Sequence, residues 1–505
     1  MRKLLLASAA MLSGTVALAS VASAQLYTVG GPTPVPVSGS VGAPGTTIPT
    51  FTTNPPLAPG SYTVRLSGRL TGIFSAVSDS GRDPTAITTT AKTAPIAPPT
   101  ATKLSDYQFG EYARLYPSFD AVAANGLKYG AFLEIRQDNQ VAPGGGVNGG
   151  TASSANGARG ALYFRRETGY IGTDQYGFLR FGATDQPTSL FATGTFENFD
   201  DNAWNFATIP GPFTSNAVVY GPFPDVGALY TTSKVVYLSP KFFDMVDFGV
   251  SFAPNTGNDD AQAGNCPYAN TAAGATSVTG TSSVGTGCDA TSSTNVSGEN
   301  KRPRNTVDAV ARLRTAVGPA GVAATVGGFY SGAVQYNGTA PATGPTGVPR
   351  YNGYGVFDSG LQVTFGGLAV GGHLDYGQYN GTNFWTLQPK EGRDGFAYLV
   401  GSSYAFGSLV VGASYFNNQT AGYWTTTTSF SNGYKGGYAI GRTLNQSGVA
   451  AGGTLTVAPG AYVFLSYLYG QKHQTGVDLV TNVVGAESHN DVHAQALMLG
   501  TQFRW

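Results

Sequence analysis

Charge is scarce in this sequence. There are 28 basic and 28 acidic residues among 505, or 11% of the chain. That balance leaves no basic excess to hold nucleic acid. Methionine is rare (4), as are long helix-periodic runs, and both scarcities argue against a helical protein. The 2 cysteines and 4 histidines leave little room for metal chemistry. Cys266 and Cys288 lie in a C-x21-C pattern with no neighbouring histidine, which is poor spacing for a metal site. No metal ligand set and no cofactor is expected. G-x-S-x-G and H-E-x-x-H are absent, and no nucleophile stands beside a base, so no catalytic residue is assigned and an enzyme is not expected. Glycine patterns such as GVAATVGG fall in strand-like segments, not in strand-to-helix turns, which excludes a nucleotide loop. Beyond the N-terminal segment, no stretch approaches the roughly 18 consecutive apolar residues of a membrane-spanning helix. Two possibilities remain: a secreted soluble protein, or a membrane protein that crosses as a closed barrel.

The N-terminus points to export. Arg2 and Lys3 precede LLLASAAMLSGTVALA, and Ala22-Ser23-Ala24 then offers small residues at a cleavage site. This is the pattern of a secretory signal peptide, residues 1–24. Its removal leaves 28 − 2 = 26 basic residues against 28 acidic ones, a net charge of −2. Residues 25–60 carry eight prolines and no apolar periodicity, and read as an extended, disordered linker. The linker is either a plain spacer or a tether to the envelope. In an exported chain the even cysteine pair predicts a Cys266–Cys288 disulfide within the loop 255–303. The NTGNDD stretch (255–260) of that loop reads as solvated and not as a Ca²⁺ site.

What the chain does have is glycine (71) and aromatic residues (12%), together with a period of two. From Ser61 onward, apolar residues alternate with small or polar ones in sixteen segments, the first at 61–77 and the last at 490–505. The connections alternate as well. TDQY, SPKFF, GPAG and APG are short, and long loops rich in Gly, Asn, Thr and Asp come between them. Such sorting puts all the turns at one end and all the loops at the other, as in outer-membrane barrels. The expected fold is all-β: a sixteen-stranded antiparallel transmembrane β-barrel over 61–505, with short periplasmic turns and long extracellular loops.

Parity assigns the faces. Phe357, Leu361, Val363 and Phe365 share one face, opposite Asp358, Gln362 and Thr364. Val307, Ala309, Ala311 and Leu313 oppose Asp308, Arg312 and Arg314, while Leu368, Val370, Leu374 and Tyr376 oppose His373 and Asp375. Charges belong inside, because a cationic side chain against lipid costs about 2–4 kcal/mol at mid-bilayer. By the same count Arg65, Arg69, Arg114, Arg136, Arg165 and Arg180 point inward, and Lys234 is a secondary candidate. Arg165 falls in phase with Glu167, opposite Phe164 and Tyr170. Arg166 has the wrong parity, which suggests a rim position or a bulge.

The strand count, the alternating connections, the arginine-bearing pair ALYFRRETGYIGTDQYGFLRFG and the ending ALMLGTQFRW, with Leu497, Leu499, Phe503 and Trp505 in phase, together resemble the general diffusion porins of Gram-negative bacteria, alphaproteobacterial-like in type. The resemblance covers nearly all of 61–505. It departs from the family in ending on Trp505 in place of Phe and in carrying the proline-rich leader. It implies a homotrimer in the outer membrane, with lipid and lipopolysaccharide as partners. It further implies a water-filled lumen for passive diffusion of small hydrophilic solutes and ions, and a third long loop folded inward, its acids facing a basic wall. Here that loop is about 186–229 and contains FENFDDNAW, so Glu197, Asp200 and Asp201 become the acidic side of the constriction. The aromatics of the same stretch would pack the loop on the wall. A substrate-selective channel for sugars or carboxylates, and a non-transport barrel acting as adhesin or envelope tether, stay open as alternatives.

Overall fold

The computed structural model describes residues 57–80, 107–138, 163–196, 233–254, 303–333, 351–381, 385–390, 392–423, 443–479, 483–484 and 489–505. The expected signal segment, most of the expected linker, Glu197, Asp200, Asp201, Cys266 and Cys288 lie outside the described residues.

Sixteen strands close into a single barrel. The first eight are β1 (Ser61–Asp79), β2 (Tyr107–Val122), β3 (Lys128–Asp138), β4 (Tyr163–Thr173), β5 (Gly177–Ala183), β6 (Ser233–Leu238), β7 (Val246–Ala253) and β8 (Pro303–Val317). The second eight are β9 (Ala320–Ala333), β10 (Gly355–Phe365), β11 (Leu368–Gln378), β12 (Gly395–Phe406), β13 (Leu409–Thr420), β14 (Leu444–Ala458), β15 (Ala461–His473) and β16 (Asp491–Arg504). Each pairs antiparallel with its neighbours in sequence, and β16 pairs back onto β1 through Ala76↔Leu497 and Phe74↔Leu499. The seam continues past β16: Gly68 N donates to Trp505 O (3.1 Å) and Trp505 N to Gly68 O (3.2 Å). Closure leaves no strand edge unpaired, which a lipid environment requires.

The period of two is visible along β16, where exposed Leu497, Leu499 and Phe503 alternate with buried Ala496, Met498 and Gln502. The outer wall carries Leu66, Leu70, Phe74, Val250, Val326, Leu361, Val363 and Leu465, all exposed and apolar. Aromatics gather toward both ends of this wall, with Tyr62, Phe119 and Tyr129 at one and Phe74, Tyr107 and Phe109 at the other. An apolar band between aromatic girdles is the surface a bilayer selects. No helix among the described residues is long and apolar enough to cross a membrane.

The expected short connections are short. Those after β8, β10, β12 and β14 span only 318–319, 366–367, 407–408 and 459–460. Gly318, Gly366 and Gly407 stand first in their two-residue turns at φ of 58, 54 and 59°. Glycine takes that left-handed conformation without steric cost, and the resulting turn matches the twist of the flanking strands. The strand β2 continues to Val122, and the chain then reverses over 123–127.

One parity assignment is corrected. The β3–β4 register shifts between Glu134 and Ile135, so that Glu134 faces Arg166 while Ile135 faces Phe164. Arg165 is the extra residue of this bulge, and both arginines are buried. Beyond the bulge the phase is inverted: Thr168 and Tyr170 turn inward and Glu167 turns out. A bulge does this by inserting one residue into an alternation of exactly two.

Candidate functional site: the inward third connection and the charged inner wall

The connection between β5 and β6 turns into the barrel. Its described part, 184–196, runs along the inner wall past β7, β8, β10, β11 and β12 at mid-height. The departure is fixed twice: Lys234 Nζ donates to Thr184 O (2.8 Å), and Arg166 donates through Nε (2.9 Å) and Nη2 (2.8 Å) to Asp185 Oδ1. A single helical turn follows, α1 (Pro187–Phe191), with proline where the first helical position needs no amide donor. Gln186 provides no side-chain cap. The orphan amide of Thr188 is satisfied from the wall it lies on by Asp308 of β8, at 3.2 and 3.3 Å, and Thr188 Oγ1 donates to Asp308 Oδ2 at 2.5 Å. Leu190 and Phe191 pack on Val236, Leu238 and Val310, apolar residues turned inward where the helix docks. The Arg312 guanidinium stacks over the Phe191 ring at 4.3 Å.

Past α1 the chain presses into a track of glycines. Gly249, Gly360, Gly371 and Gly401 lie on the inner faces of four strands. An added Cβ at Gly249 would meet Pro187 Cβ at 3.0 Å, at Gly360 His373 Nδ1 at 2.8 Å, at Gly371 Phe196 Cε2 at 3.2 Å, and at Gly401 Phe196 Cβ at 2.5 Å. Gly194 itself takes φ +75 against the carbonyls of Leu361 and Gly372, a close approach that a side chain would block. The Thr193 carbonyl meets His373 Nδ1 at 2.9 Å. Phe196, 2% exposed, ends the described run in the hollow left by Gly371 and Gly401. Burying such a ring stabilises the docked loop by about 1.5–3 kcal/mol.

Strands β1 to β6 form the basic side of the interior. Arg69, Arg114 and Arg136 occupy one cross-strand row, which Arg504 extends on β16. Arg65 is ion-paired with Asp120, which also accepts from the Tyr170 hydroxyl. Glu134, fully buried, is paired with Arg166 and lies 3.8 Å from Arg165 and 4.0 Å from Arg114. Arg180 stacks over Phe132 at 5.4 Å. Among described inward side chains in the middle of this wall, seven bases (Arg65, Arg69, Arg114, Arg165, Arg166, Arg180, Lys234) meet three acids (Asp120, Glu134, Asp185), an excess of 7 − 3 = 4 positive charges. Asp247, Asp308, Asp358 and Asp375 lie on β7 to β11, with Asp247 held by Arg312 (3.0 Å) and Arg314 (3.0 Å). Charge is therefore graded across the interior, with bases on one wall and carboxylates on the other.

Of the basic residues expected on the inner wall, Arg65, Arg69, Arg114, Arg165 and Arg180 all turn inward. Arg136 is placed by its backbone, across from Arg114 on one side and Tyr163 on the other. Glu197, Asp200 and Asp201 follow directly on Phe196 but fall outside the described residues. Sequence reasoning missed the carboxylates of the far wall as site members, and it missed α1, for which Gln186-Pro187-Thr188 was the available signal. It also missed an apolar sector of the interior, where Phe329, Val356, Leu399, Phe416, Phe464 and Leu468 pack with Leu387, Val477 and Leu479 of the long connections. Among the described residues, that side of the interior is apolar and closely packed, in contrast to the charged side.

Fold and site together define the class: a sixteen-stranded transmembrane barrel of porin architecture whose third long connection lines the interior. No family model matches the chain, and no curated protein sequence does. Solved structures do resemble it. An anion-selective porin from Comamonas acidovorans is 12% identical, with 88% of this chain and 100% of that one covered at a TM-score of 0.46. The outer membrane channel DcaP of Acinetobacter baumannii is 12% identical, covering 89% and 99% at 0.45. A loop L8 deletion mutant of OmpT, an outer membrane protein of Vibrio cholerae, is 12% identical, covering 88% and 99% at 0.46. Likeness at this level carries no functional argument, and the fold assignment rests on the closed strand ladder itself.

Proposed function

We propose that the chain is an outer-membrane porin, a water-filled channel for passive diffusion of small hydrophilic solutes and ions. The observation that carries this reading is the inward course of 184–196, anchored at mid-height between a basic and an acidic wall. A connection pinned there narrows the passage, and Glu197, Asp200 and Asp201, the next acids in sequence, are the residues assigned to the acidic side of the constriction. Carboxylates set against Arg65, Arg69, Arg114, Arg136, Arg165 and Arg180 would create a transverse field that orients dipolar solutes and sets ion preference. No cofactor enters this mechanism. The signal peptide and the lipid-compatible outer wall support an outer-membrane location, and three copies are the expected assembly.

Replacing Asp200 and Asp201 by Asn tests the assignment. The reversal potential under a salt gradient in planar bilayers should move toward anions, and an unmoved potential removes these residues from the constriction. The excess of four positive charges on the β1–β6 wall favours a second reading, a channel selective for anionic solutes such as carboxylates. Saturable block of conductance by one carboxylate, with no effect of neutral sugars, would support it over general diffusion. For the tether alternative, deletion of 26–59 separates the roles: a linker can be removed with conductance intact, whereas a tether takes envelope attachment with it.

A further inference from the structure

We infer that Asp358, His373 and Asp375 form a binding site for one divalent transition-metal cation, with Zn²⁺ as the reference ion, at the point where the third connection is anchored. The site does not depend on what the barrel conducts. Asp358 and Asp375 stand directly opposite each other in the β10–β11 ladder, on the inner face, and His373 lies two residues before Asp375 on that same face. Like charges directly opposite in an antiparallel pair repel. These two are also buried, 4% and 1% exposed, where an uncompensated carboxylate is far more costly than in water. Asp358 Oδ1 and Asp375 Oδ1 are buried and accept no hydrogen bond. Two buried carboxyl oxygens without a hydrogen-bond partner therefore belong to one cluster.

The histidine completes the set. The Thr193 carbonyl is only an acceptor, so His373 Nδ1, 2.9 Å away, carries a proton. That leaves Nε2 turned toward Asp358 Oδ2 at 2.8 Å and Asp375 Oδ1 at 3.9 Å. Without a metal, a proton between Nε2 and Asp358 Oδ2 makes that contact a hydrogen bond; a metal cation would take that proton's place and draw in the second carboxylate. The ligand atoms of all three side chains lie within 4.8 Å of one another. A tetrahedral ion with bonds of about 2.1 Å holds its ligands about 3.4 Å apart, and the two His–Asp separations bracket that value. One imidazole and two carboxylates suit Zn²⁺ or Co²⁺, with water in the fourth position, better than Ca²⁺ or Mg²⁺, which prefer six or more oxygens. An imidazole that binds metal through one nitrogen and donates from the other to a backbone carbonyl is the usual outer-shell arrangement. Here that carbonyl belongs to the third connection, so the ion would hold the ring that holds the loop. The sequence alone pointed away from metal because only the strand register brings Asp358 to Asp375.

The test uses the purified full-length chain in detergent, stripped with a chelator and dialysed against micromolar Zn²⁺. Elemental analysis should find one Zn²⁺ per chain, and His373→Gln and Asp375→Asn should each weaken binding about tenfold or more. Co²⁺ in place of Zn²⁺ should give the visible absorption of a four-coordinate nitrogen–oxygen site in the wild type and lose it in both variants. Wild-type protein that retains no metal above the chelated control overturns the proposal without recourse to any variant. Full Zn²⁺ binding by both variants overturns the assignment to these residues. Heat-modifiable migration in electrophoresis verifies that each variant has formed its barrel, and Asp358→Asn replaces one that has not.

Discussion

Replacing Asp308 by alanine should release the start of the third connection from the wall. Its carboxylate accepts the Thr188 amide at 3.2 and 3.3 Å and the Thr188 hydroxyl at 2.5 Å, with both residues buried. Each hydrogen bond to a charged acceptor is worth about 1.5–3 kcal/mol. The hydroxyl can rotate toward another acceptor once the carboxylate is gone, whereas the amide at the helix start is left unpaired. The net cost is then about 2–4 kcal/mol, and with tenfold per 1.4 kcal/mol the undocked population rises roughly 30- to 700-fold. Hydrogen exchange read by mass spectrometry over 186–192 measures this directly, because the Leu190 amide is bonded to Gln186 O at 2.9 Å only while α1 is formed. Protection there should fall by that factor, while the β10–β11 ladder keeps its own. Asp308→Asn retains one acceptor oxygen and should lie between wild type and alanine. Unchanged protection over 186–192 in the alanine variant would refute the claim that Asp308 holds the loop.

Three further outcomes follow from the same geometry. Glu134→Gln leaves Arg114, Arg165 and Arg166 around a buried neutral amide, and guanidinium unfolding in detergent should show a loss of about 3–5 kcal/mol. Gly401→Leu puts a side chain where Phe196 Cβ would be 2.5 Å from its Cβ. The loop should be forced toward the lumen at about 1–3 kcal/mol, lowering single-channel conductance without unfolding the barrel. Leu361→Arg places a cation on the outer wall at mid-strand, and folding into lipid vesicles should lose about 2–4 kcal/mol, a penalty that Gln362→Arg on the inner face escapes.

The strands were legible because a bilayer imposes one rule on every outward position. Alternations such as Phe357-Asp358 and Leu497-Met498 need no knowledge of a partner strand to be read. The hairpin turns were legible for the same local reason, with Gly318, Gly366 and Gly407 marking reversals within a few residues. Misreadings came where the answer depended on pairing. Arg165-Arg166 hinted at a bulge, but only the register shift at Glu134 shows that the phase inverts and that Tyr170, not Glu167, faces inward. Asp358 and Asp375 lie in different segments, and nothing local says that they meet. The path of 184–196 is written in Gly249, Gly360, Gly371 and Gly401, which are four unremarkable glycines among 71 until the strands are aligned. The packed apolar sector was hidden in another way, since Phe416 or Leu468 on an inner face breaks the expectation that a lumen is polar throughout.

The central claim is an open, water-filled passage narrowed by the third connection. Single-channel recording of the purified chain in a planar bilayer tests it most directly. The account predicts discrete, ohmic conductance steps that scale with salt concentration and are filled only by sugars below a sharp size limit. A bilayer that stays silent, or a conductance that saturates at low salt and responds to one solute alone, would contradict it.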